Sequence, residues 1–195
     1  MTAMRSEMPA RLPRRAILAA VLAAGAASAF PLAALAATRP EIDRDVSAAL
    51  KRLRAQGPKT RALLKKSVGV LIFPNITAGA LVVGGQYGEG ALRVAGKTTG
   101  YYSIAAASFG LQVGGETFSY ALLFMNKSAL DYLRKSDGWS IGSGPSVVVM
   151  DKGAATDLDT TNVTQDVVAI PYGLHGLMAS ASIQGSKITP ITPSA

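Results

Sequence analysis

The apolar residues between Ser67 and Glu116 fall into short runs separated by glycine or proline. The runs predict β-strands and cover residues 68–73, 80–83, 91–95 and 101–107. The breaks, at which we expect turns or bulges, are Pro74-Asn75, Gly84-Gly85, Gly88-Glu89-Gly90, Gly96-Lys97 and Gly114-Gly115. Glycine permits a positive φ at a turn, and its missing side chain also lets a second backbone come close. The pattern therefore predicts a tightly turned antiparallel meander.

A helical periodicity precedes this meander. The apolar stripe consists of Ile42, Val46, Ala49, Leu50 and Leu53. A proline in Thr38-Arg39-Pro40, followed by acidic residues, is typical of a helix start, and Gly57-Pro58 is expected to end the helix. At about 100° per residue, Arg44 and Lys51 fall opposite the stripe, whereas Arg52 and Arg54 fall on its flanks. Residues 59–66 predict a second short helix, which is also basic.

Further strands follow the meander. Residues 117–124 predict one strand, and Asn126 is expected to cap a short helix over residues 127–135. Strand patterns then recur near Trp139 and at residues 146–150, 166–172, 177–184 and 187–191, with a polar surface loop at residues 151–165. We expect the aromatic side chains at Tyr87, Tyr101, Tyr102, Phe109, Tyr120 and Trp139 to fill the core and cover glycines.

The predicted fold class is α+β. An antiparallel β-barrel or sandwich should run from about Val68 to Ile191, with the N-terminal basic amphipathic helices packed outside it and one short inserted helix. The chain has 195 residues, 49% of them hydrophobic, which suffices for one good core and hardly for two. We therefore expect residues 37–195 to form a single domain.

Residues 1–36 have the pattern of a secretory signal peptide. A leader with four arginines precedes an uninterrupted small and apolar run at residues 16–30, and Ala34-Leu35-Ala36 is an A-x-A cleavage site. A retained anchor is the alternative, although the run is short for a membrane span. Arg14-Arg15 leaves twin-arginine export open beside the Sec route. The prediction is a periplasmic or secreted protein that begins at Ala37, with no transmembrane span in the mature chain.

Basic residues cluster in the two predicted N-terminal helices. The formal net charge of the chain is +8; the leader carries four Arg and one Glu, so without it the charge is +5. Residues 39–66 hold nine basic and three acidic residues, so the remainder is nearly neutral. This stretch is either a solvated surface or a contact for anionic lipid head groups. The candidate lipid-binding residues are Arg44, Lys51, Arg52, Arg54, Lys59, Arg61, Lys65 and Lys66.

Groups for catalysis are scarce. The chain has no cysteine, and His175, the single histidine, is expected at a turn between two glycines. Ala91 to Thr98 fits a loose phosphate-loop pattern, but its strand-like neighbours favour a hairpin turn. Asp151, Asp157 and Asp159 could gather around calcium, although their spacing does not match an EF-hand. We expect no enzymatic activity, cofactor or metal; the rival reading is a small-molecule carrier or hydrolase with an interior cavity.

Several spaced motifs resemble the SYLF lipid-binding domain over about Ile42 to Ile191. They are Ser67-Val-Gly-Val-Leu-Ile-Phe-Pro, Ala78-Gly-Ala, Gly84-Gly-Gln-Tyr-Gly-Glu-Gly, Gly100-Tyr-Tyr-Ser, Ser108-Phe-Gly-Leu-Gln-Val-Gly-Gly, Ser136-Asp-Gly-Trp-Ser-Ile-Gly, Pro145-Ser-Val-Val-Val, Gly173-Leu-His-Gly-Leu-Met-Ala and Ile183-Gln-Gly-Ser-Lys-Ile. The family includes eukaryotic proteins of actin patches and endosomes that bind phosphoinositides and in some cases actin, and bacterial envelope proteins.

The resemblance implies a lipid-binding module and no reaction. It favours the lipid reading of the basic helices, because the N-terminal helical part contacts the membrane in some relatives. The expected partner is an anionic phospholipid surface in the bacterial envelope, and no nucleic acid. The alternative is a structural or adhesive envelope protein that binds a protein partner, which by family analogy would be actin-like.

Overall fold

Three helices and eight strands make up the part of the chain that this computed structural model describes, namely residues 37–80, 83–109, 114–150, 164–175, 183 and 185–195. The helices are α1 (Arg39–Ala55), α2 (Pro58–Lys66) and α3 (Lys127–Lys135). The strands are β1 (Gly69–Ala80), β2 (Val83–Val94), β3 (Lys97–Phe109), β4 (Gly114–Phe124), β5 (Trp139–Ser140), β6 (Val147–Val149), β7 (Val167–His175) and β8 (Lys187–Ile191).

All eight strands belong to one sheet, in the order β5-β8-β3-β2-β1-β4-β7-β6. Every described pairing is antiparallel except that of β6 with β7, and the sheet curls into a half-barrel. The four longest strands, β1 to β4, are consecutive in the chain and lie together at the centre. The predicted α+β class, with an antiparallel sheet and N-terminal helices, is confirmed.

Both faces of the sheet are covered over part of its central strands, which explains the continuous apolar runs at residues 70–73 of β1 and 121–124 of β4. Along β1, Leu71 and Phe73 belong to one buried cluster, whereas Val70 and Ile72 belong to another. Such alternation follows from the two-residue period of a strand. The first cluster includes buried residues of α3 together with Trp139, and the second includes the apolar stripe of α1 and part of α2.

Helix α1 begins and packs as its sequence predicts. Thr38 forms a capping box with Glu41, whose side chain accepts a hydrogen bond from the Thr38 backbone N–H at 2.8 Å. Four residues of the predicted stripe are buried, at Ile42, Val46, Ala49 and Leu53. Leu50 is only half-buried, so the stripe is narrower than predicted. Gly57, with φ +150°, separates α1 from α2.

Helix α3 and the β2–β3 hairpin also follow their predictions. The Asn126 side chain accepts a hydrogen bond from the Ala129 backbone N–H at 2.9 Å and caps α3. Ala95 and Gly96, both with positive φ, form the two-residue turn between β2 and β3. Two central residues with positive φ are typical of a tight hairpin turn. The loose phosphate-loop pattern at residues 91–98 is therefore a hairpin.

Of the two alternatives predicted at Pro74-Asn75, a turn or a bulge, the structure has the bulge. Strand β1 runs through these residues, and the only sign of irregularity there is a register shift against β2 and against β4. A β-bulge accommodates the proline, which cannot donate to the ladder, without ending the strand.

The glycines of β2 and β4 also lie within strands instead of between them. Gly84-Gly85 and Gly88-Glu89-Gly90 belong to β2, and Gly114-Gly115 begins β4. A Cβ built on Gly88 would lie 2.8 Å from Cγ1 of Ile76, and one on Gly90 would overlap the Ile72 carbonyl oxygen. These two glycines let β1 approach closely because they have no side chain; they are not turn residues with a positive φ.

Three further predictions differ from the structure. Residues 80–83 are not one strand, because Ala80 ends β1 and Val83 begins β2. Tyr87 is 46% exposed, so it does not fill the core, whereas Tyr102, Tyr120 and Trp139 are buried as expected. His175 is the last residue of β7 instead of a turn residue.

Some predictions lie outside the described residues. They are the signal peptide at residues 1–36, most of the loop at residues 151–165, the calcium-like aspartates, and nearly all of the strand predicted at residues 177–184.

Candidate functional site

The eight predicted lipid-binding residues all lie at exposed positions of α1 and α2, and we call them the basic face. They are Arg44, Lys51, Arg52 and Arg54 on α1, and Lys59, Arg61, Lys65 and Lys66 on α2. The buried side of the same two helices packs into the second apolar cluster. The amphipathic pattern therefore separates charge from apolar area as the sequence predicts.

The acidic residues of α1 are mostly engaged elsewhere. Glu41 accepts the capping hydrogen bonds of Thr38, which lower the pKa of its carboxyl group. Asp43 is directed toward the β2–β3 hairpin. Asp45 pairs with a residue of the basic face, through Arg44 Nε at 3.0 Å, and the Arg44 side chain is still 73% exposed. The outer side of α1 therefore keeps most of its positive charge.

A groove of about 460 Å³ brings two residues of the basic face together with a third cationic side chain, which belongs to a strand. Lys51 and Arg54 line it from α1, and Arg93 of β2 and Gly96 of the hairpin turn line it from the sheet. A groove with three cationic side chains offers charge-assisted hydrogen bonds to a phosphate or carboxylate group. Arg93 was not predicted from the sequence, because an isolated arginine in a strand carries no local signal.

Asp43 fixes this groove by linking α1 to the hairpin. Its carboxylate accepts hydrogen bonds from Thr98 Oγ1 at 2.6 Å, Tyr101 hydroxyl at 3.0 Å and Arg93 Nη2 at 3.3 Å. Arg93 Nη2 also donates to Ser47 Oγ at 3.1 Å. Partial burial and the bond to Asp43 raise the pKa of Tyr101, so its hydroxyl stays a donor. Asp43 thereby holds α1 at a defined position over β2 and β3.

The guanidinium of Arg93 is incompletely satisfied. Its Nη2 makes the bonds described above, whereas its buried Nε has no hydrogen-bond partner among the residues that the structure describes. The Arg93 side chain is 19% exposed. Arg93 therefore forms an ion pair with Asp43 that links β2 to α1, and it also lines the groove.

Other residues of the basic face do not share the groove. Arg61 Nη1 donates to the Arg54 backbone carbonyl at 3.2 Å and so joins α2 to the end of α1. The positive charge of Arg52 acts on Tyr172 of β7, where it opposes the rise in the tyrosine pKa that burial causes. The basic face is therefore a broad surface with one groove, and not a single pocket.

Two kinds of feature are absent from the residues that the structure describes. Within those ranges, nowhere do three or more His, Cys, Asp or Glu side chains cluster as metal ligands would. Among the helices that the structure describes, none combines the length and the apolar composition that a membrane span requires.

One protein family matches the chain, over residues 105–192, and its description is "Ysc84: Las17-binding protein actin regulator". No curated protein gives a significant match. The matched segment begins within β3 and ends one residue after β8, so it leaves out α1, α2 and Arg93. Five of the motifs that resemble the SYLF domain lie entirely within this segment. The match of residues 105–192 to the Ysc84 (SYLF) family model supports the resemblance to SYLF domains that the motifs indicate.

Proposed function

We propose that this protein is a non-catalytic binding module that associates peripherally with anionic phospholipid surfaces through the basic face of α1 and α2. We place it in the bacterial envelope, periplasmic or secreted, after export and removal of residues 1–36. The observation that carries the proposal is the separation of the basic face from the buried apolar side of the same helices.

The strength of such a contact follows from the number of charges that reach the surface. A basic residue near an anionic membrane contributes on the order of 1 kcal/mol. Four or five residues engaged at once would contribute about 4–5 kcal/mol, which is roughly a thousandfold preference for anionic over neutral membranes. The apolar residues of α1 are buried against the sheet, so the proposed contact needs no insertion.

The groove gives the surface a place for one head group. Lys51, Arg54 and Arg93 surround it from two elements that Asp43 holds together. A phosphate there would be contacted by side chains that are already positioned, which reduces the entropic cost of binding.

The test is co-sedimentation of residues 37–195 with neutral and anionic vesicles at 0.1 M and 1 M salt. We expect binding to the anionic vesicles at the lower salt and its loss at the higher, because the screening length falls from about 10 Å to about 3 Å. A variant with K51S, R52S, R54S, K65S and K66S should lose most of the binding.

A matched control removes the same charge from other exposed positions, through K97S, K127S, R134S, K135S and K187S. It should bind nearly as the parent does, since its basic face is complete. Equal binding by the basic-face variant and the parent would show that this face is a solvated surface and not the lipid-binding site. A parent that binds neither vesicle would remove the lipid proposal.

The second candidate is a structural or adhesive envelope protein that binds a protein partner. The family description names Las17 binding and actin regulation, and the matched segment excludes the basic face. Tyr132 of α3, which is 41% exposed, lies on the surface of that segment. A pull-down from envelope extract, with and without detergent-solubilised lipid, separates the candidates: a protein partner would be retained without lipid and would survive the basic-face substitutions.

We propose no catalysed reaction for this protein. The chain has no cysteine nucleophile and only one histidine, His175. Turnover on a panel of lipids and esters that His175→Ala abolishes would favour the hydrolase alternative instead.

A further inference from the structure

The backbone immediately before α1 contacts a side-chain carboxylate of β2. The Ala37 backbone nitrogen donates to Glu89 Oε2 at 3.0 Å, and the contact is partly buried. The other oxygen of the same carboxylate, Oε1, accepts a hydrogen bond from the Tyr87 hydroxyl at 2.8 Å. Partial burial and this bond raise the pKa of Tyr87 to about 12, so the phenol remains a donor at neutral pH. Glu89 therefore faces Ala37 with an oxygen held in place.

The position of Ala37 does not depend on Glu89 alone. The next backbone nitrogen, that of Thr38, donates to Glu41 Oε2 at 2.8 Å, and that of Arg39 donates to the Ser194 carbonyl at 2.9 Å. Arg39 Nε also donates to the Pro193 carbonyl at 3.0 Å. Three successive backbone N–H groups thus have defined acceptors, and the start of α1 is fixed to β2 and to the C-terminal segment.

We propose that Glu89 is a binding site for the protein's own mature N-terminus, the α-ammonium group of Ala37. The inference rests on the cleavage after Ala36 that the proposed export requires. A signal peptidase hydrolyses the peptide bond between the Ala36 carbonyl carbon and the Ala37 nitrogen; water supplies the hydroxyl to Ala36 and a proton to Ala37. The amine released takes up a further proton at neutral pH, because α-amino groups ordinarily titrate near pH 8.

Cleavage therefore changes the hydrogen-bond donor at Ala37, whereas the acceptor, the Glu89 carboxylate, is already in place. Before cleavage an uncharged amide N–H faces Glu89, whereas afterwards an ammonium group faces it from the same position. Hydrogen bonds between ionised partners are roughly twice as strong as neutral ones. Processing would thus tighten the attachment of α1, and with it the basic face, to β2.

The experiment compares two forms of residues 37–195, one with a free Ala37 amine and one with the amine acetylated. Acetylation restores an amide N–H at Ala37 and removes only the charge, so it isolates the ionic part of the contact. At pH 7 and low salt, we expect the free form to unfold at a temperature about 2–4 °C higher than the acetylated form. The difference should nearly vanish in Glu89→Gln, and in the parent at 1 M salt.

Glu41→Gln is the matched control. Its carboxylate binds the Thr38 backbone, one residue from the terminus, so this variant should lower the unfolding temperature of both forms and keep their difference. A difference that persists in Glu89→Gln, or its absence in the parent, would overturn the proposal. If Glu89→Gln does not fold, the free and acetylated forms of the parent are compared at low salt and at 1 M salt. A difference in unfolding temperature that persists at 1 M salt would overturn the proposal.

Mass spectrometry of the protein isolated from its own cells completes the test. A chain that begins at Ala37 supports the proposal, and a chain that begins elsewhere overturns it. Neither result involves lipid, so a failure here is distinguishable from a failure of the membrane proposal in the vesicle assay.

Discussion

Gly90→Ala is the substitution that tests the packing of the central strands most directly. A Cβ at this position would overlap the Ile72 carbonyl oxygen and would lie 2.8 Å from both the Ile72 carbonyl carbon and Cδ1 of Phe73. Ile72 and Phe73 are fully buried and belong to the two opposite apolar clusters. Strand β1 therefore cannot move away from the methyl group without disturbing both cores.

The expected loss is large for the addition of one methyl group. Overpacking a well-packed interior typically costs about 1–3 kcal/mol, and we expect the upper end here because the clash is with backbone. A loss of about 3 kcal/mol lowers the folding equilibrium constant roughly 100-fold. Gly85→Ala is the control in the same strand, since its Cβ would come no closer than 3.4 Å to any described atom, the nearest being the Ala106 carbonyl oxygen. It should be neutral or stabilise by up to about 1 kcal/mol.

Urea unfolding followed by tryptophan fluorescence measures both variants. Trp139 is the only tryptophan and is 1% exposed, so its emission reports exposure of the core. The dependence of the unfolding free energy on urea should stay the same while the midpoint falls, because the two states expose similar surface. A loss below about 1 kcal/mol for Gly90→Ala, or one no larger than that of Gly85→Ala, would refute the packing argument.

Three further predictions concern polar groups and use the same unfolding assay. Tyr172→Phe should leave stability unchanged or raise it, since the buried Tyr172 hydroxyl makes no well-formed hydrogen bond within the described ranges: the nearby Ser119 hydroxyl opposes the rise in the Tyr172 pKa that burial causes but donates its proton to the Pro74 carbonyl. A loss above about 1 kcal/mol would contradict this. Asp43→Ala should cost about 1–2 kcal/mol, because it leaves the donors of the hairpin unpaired, and a neutral effect would show that α1 is held by apolar contact alone. Hydrogen bonds from the Ser146 backbone N–H, the Asn126 side chain and the Ser146 hydroxyl lower the pKa of Asp166. Its contribution is therefore present above the ordinary Asp range near pH 4 and is lost as the pH falls through the lower folded value, so the stability difference between the parent and Asp166→Asn should be greatest at pH 7 and shrink toward pH 3.

Local patterns in the sequence determined most of the elements. The stripe from Ile42 to Leu53, the capping residues Thr38 and Asn126, and the Gly96 turn each depend on residues within a few positions of one another. Such features form from neighbouring backbone and side chains, so they can be read without knowing the rest of the fold. The outward position of the basic face follows from the same helical period.

Contacts between distant residues were decided only by the tertiary structure. Asp43 and Arg93 are 50 positions apart and meet because α1 crosses the β2–β3 hairpin, which no local pattern encodes. Whether Gly90 ends a strand or lets β1 approach depends on the register between β1 and β2, and that register shifts at the bulge near Pro74. Apolar alternation predicts that a segment is a strand, but the identity of its neighbour is set by the packing of two buried faces at once. The groove and the contact of Ala37 with Glu89 depend on those pairings, so they became visible only in the folded chain.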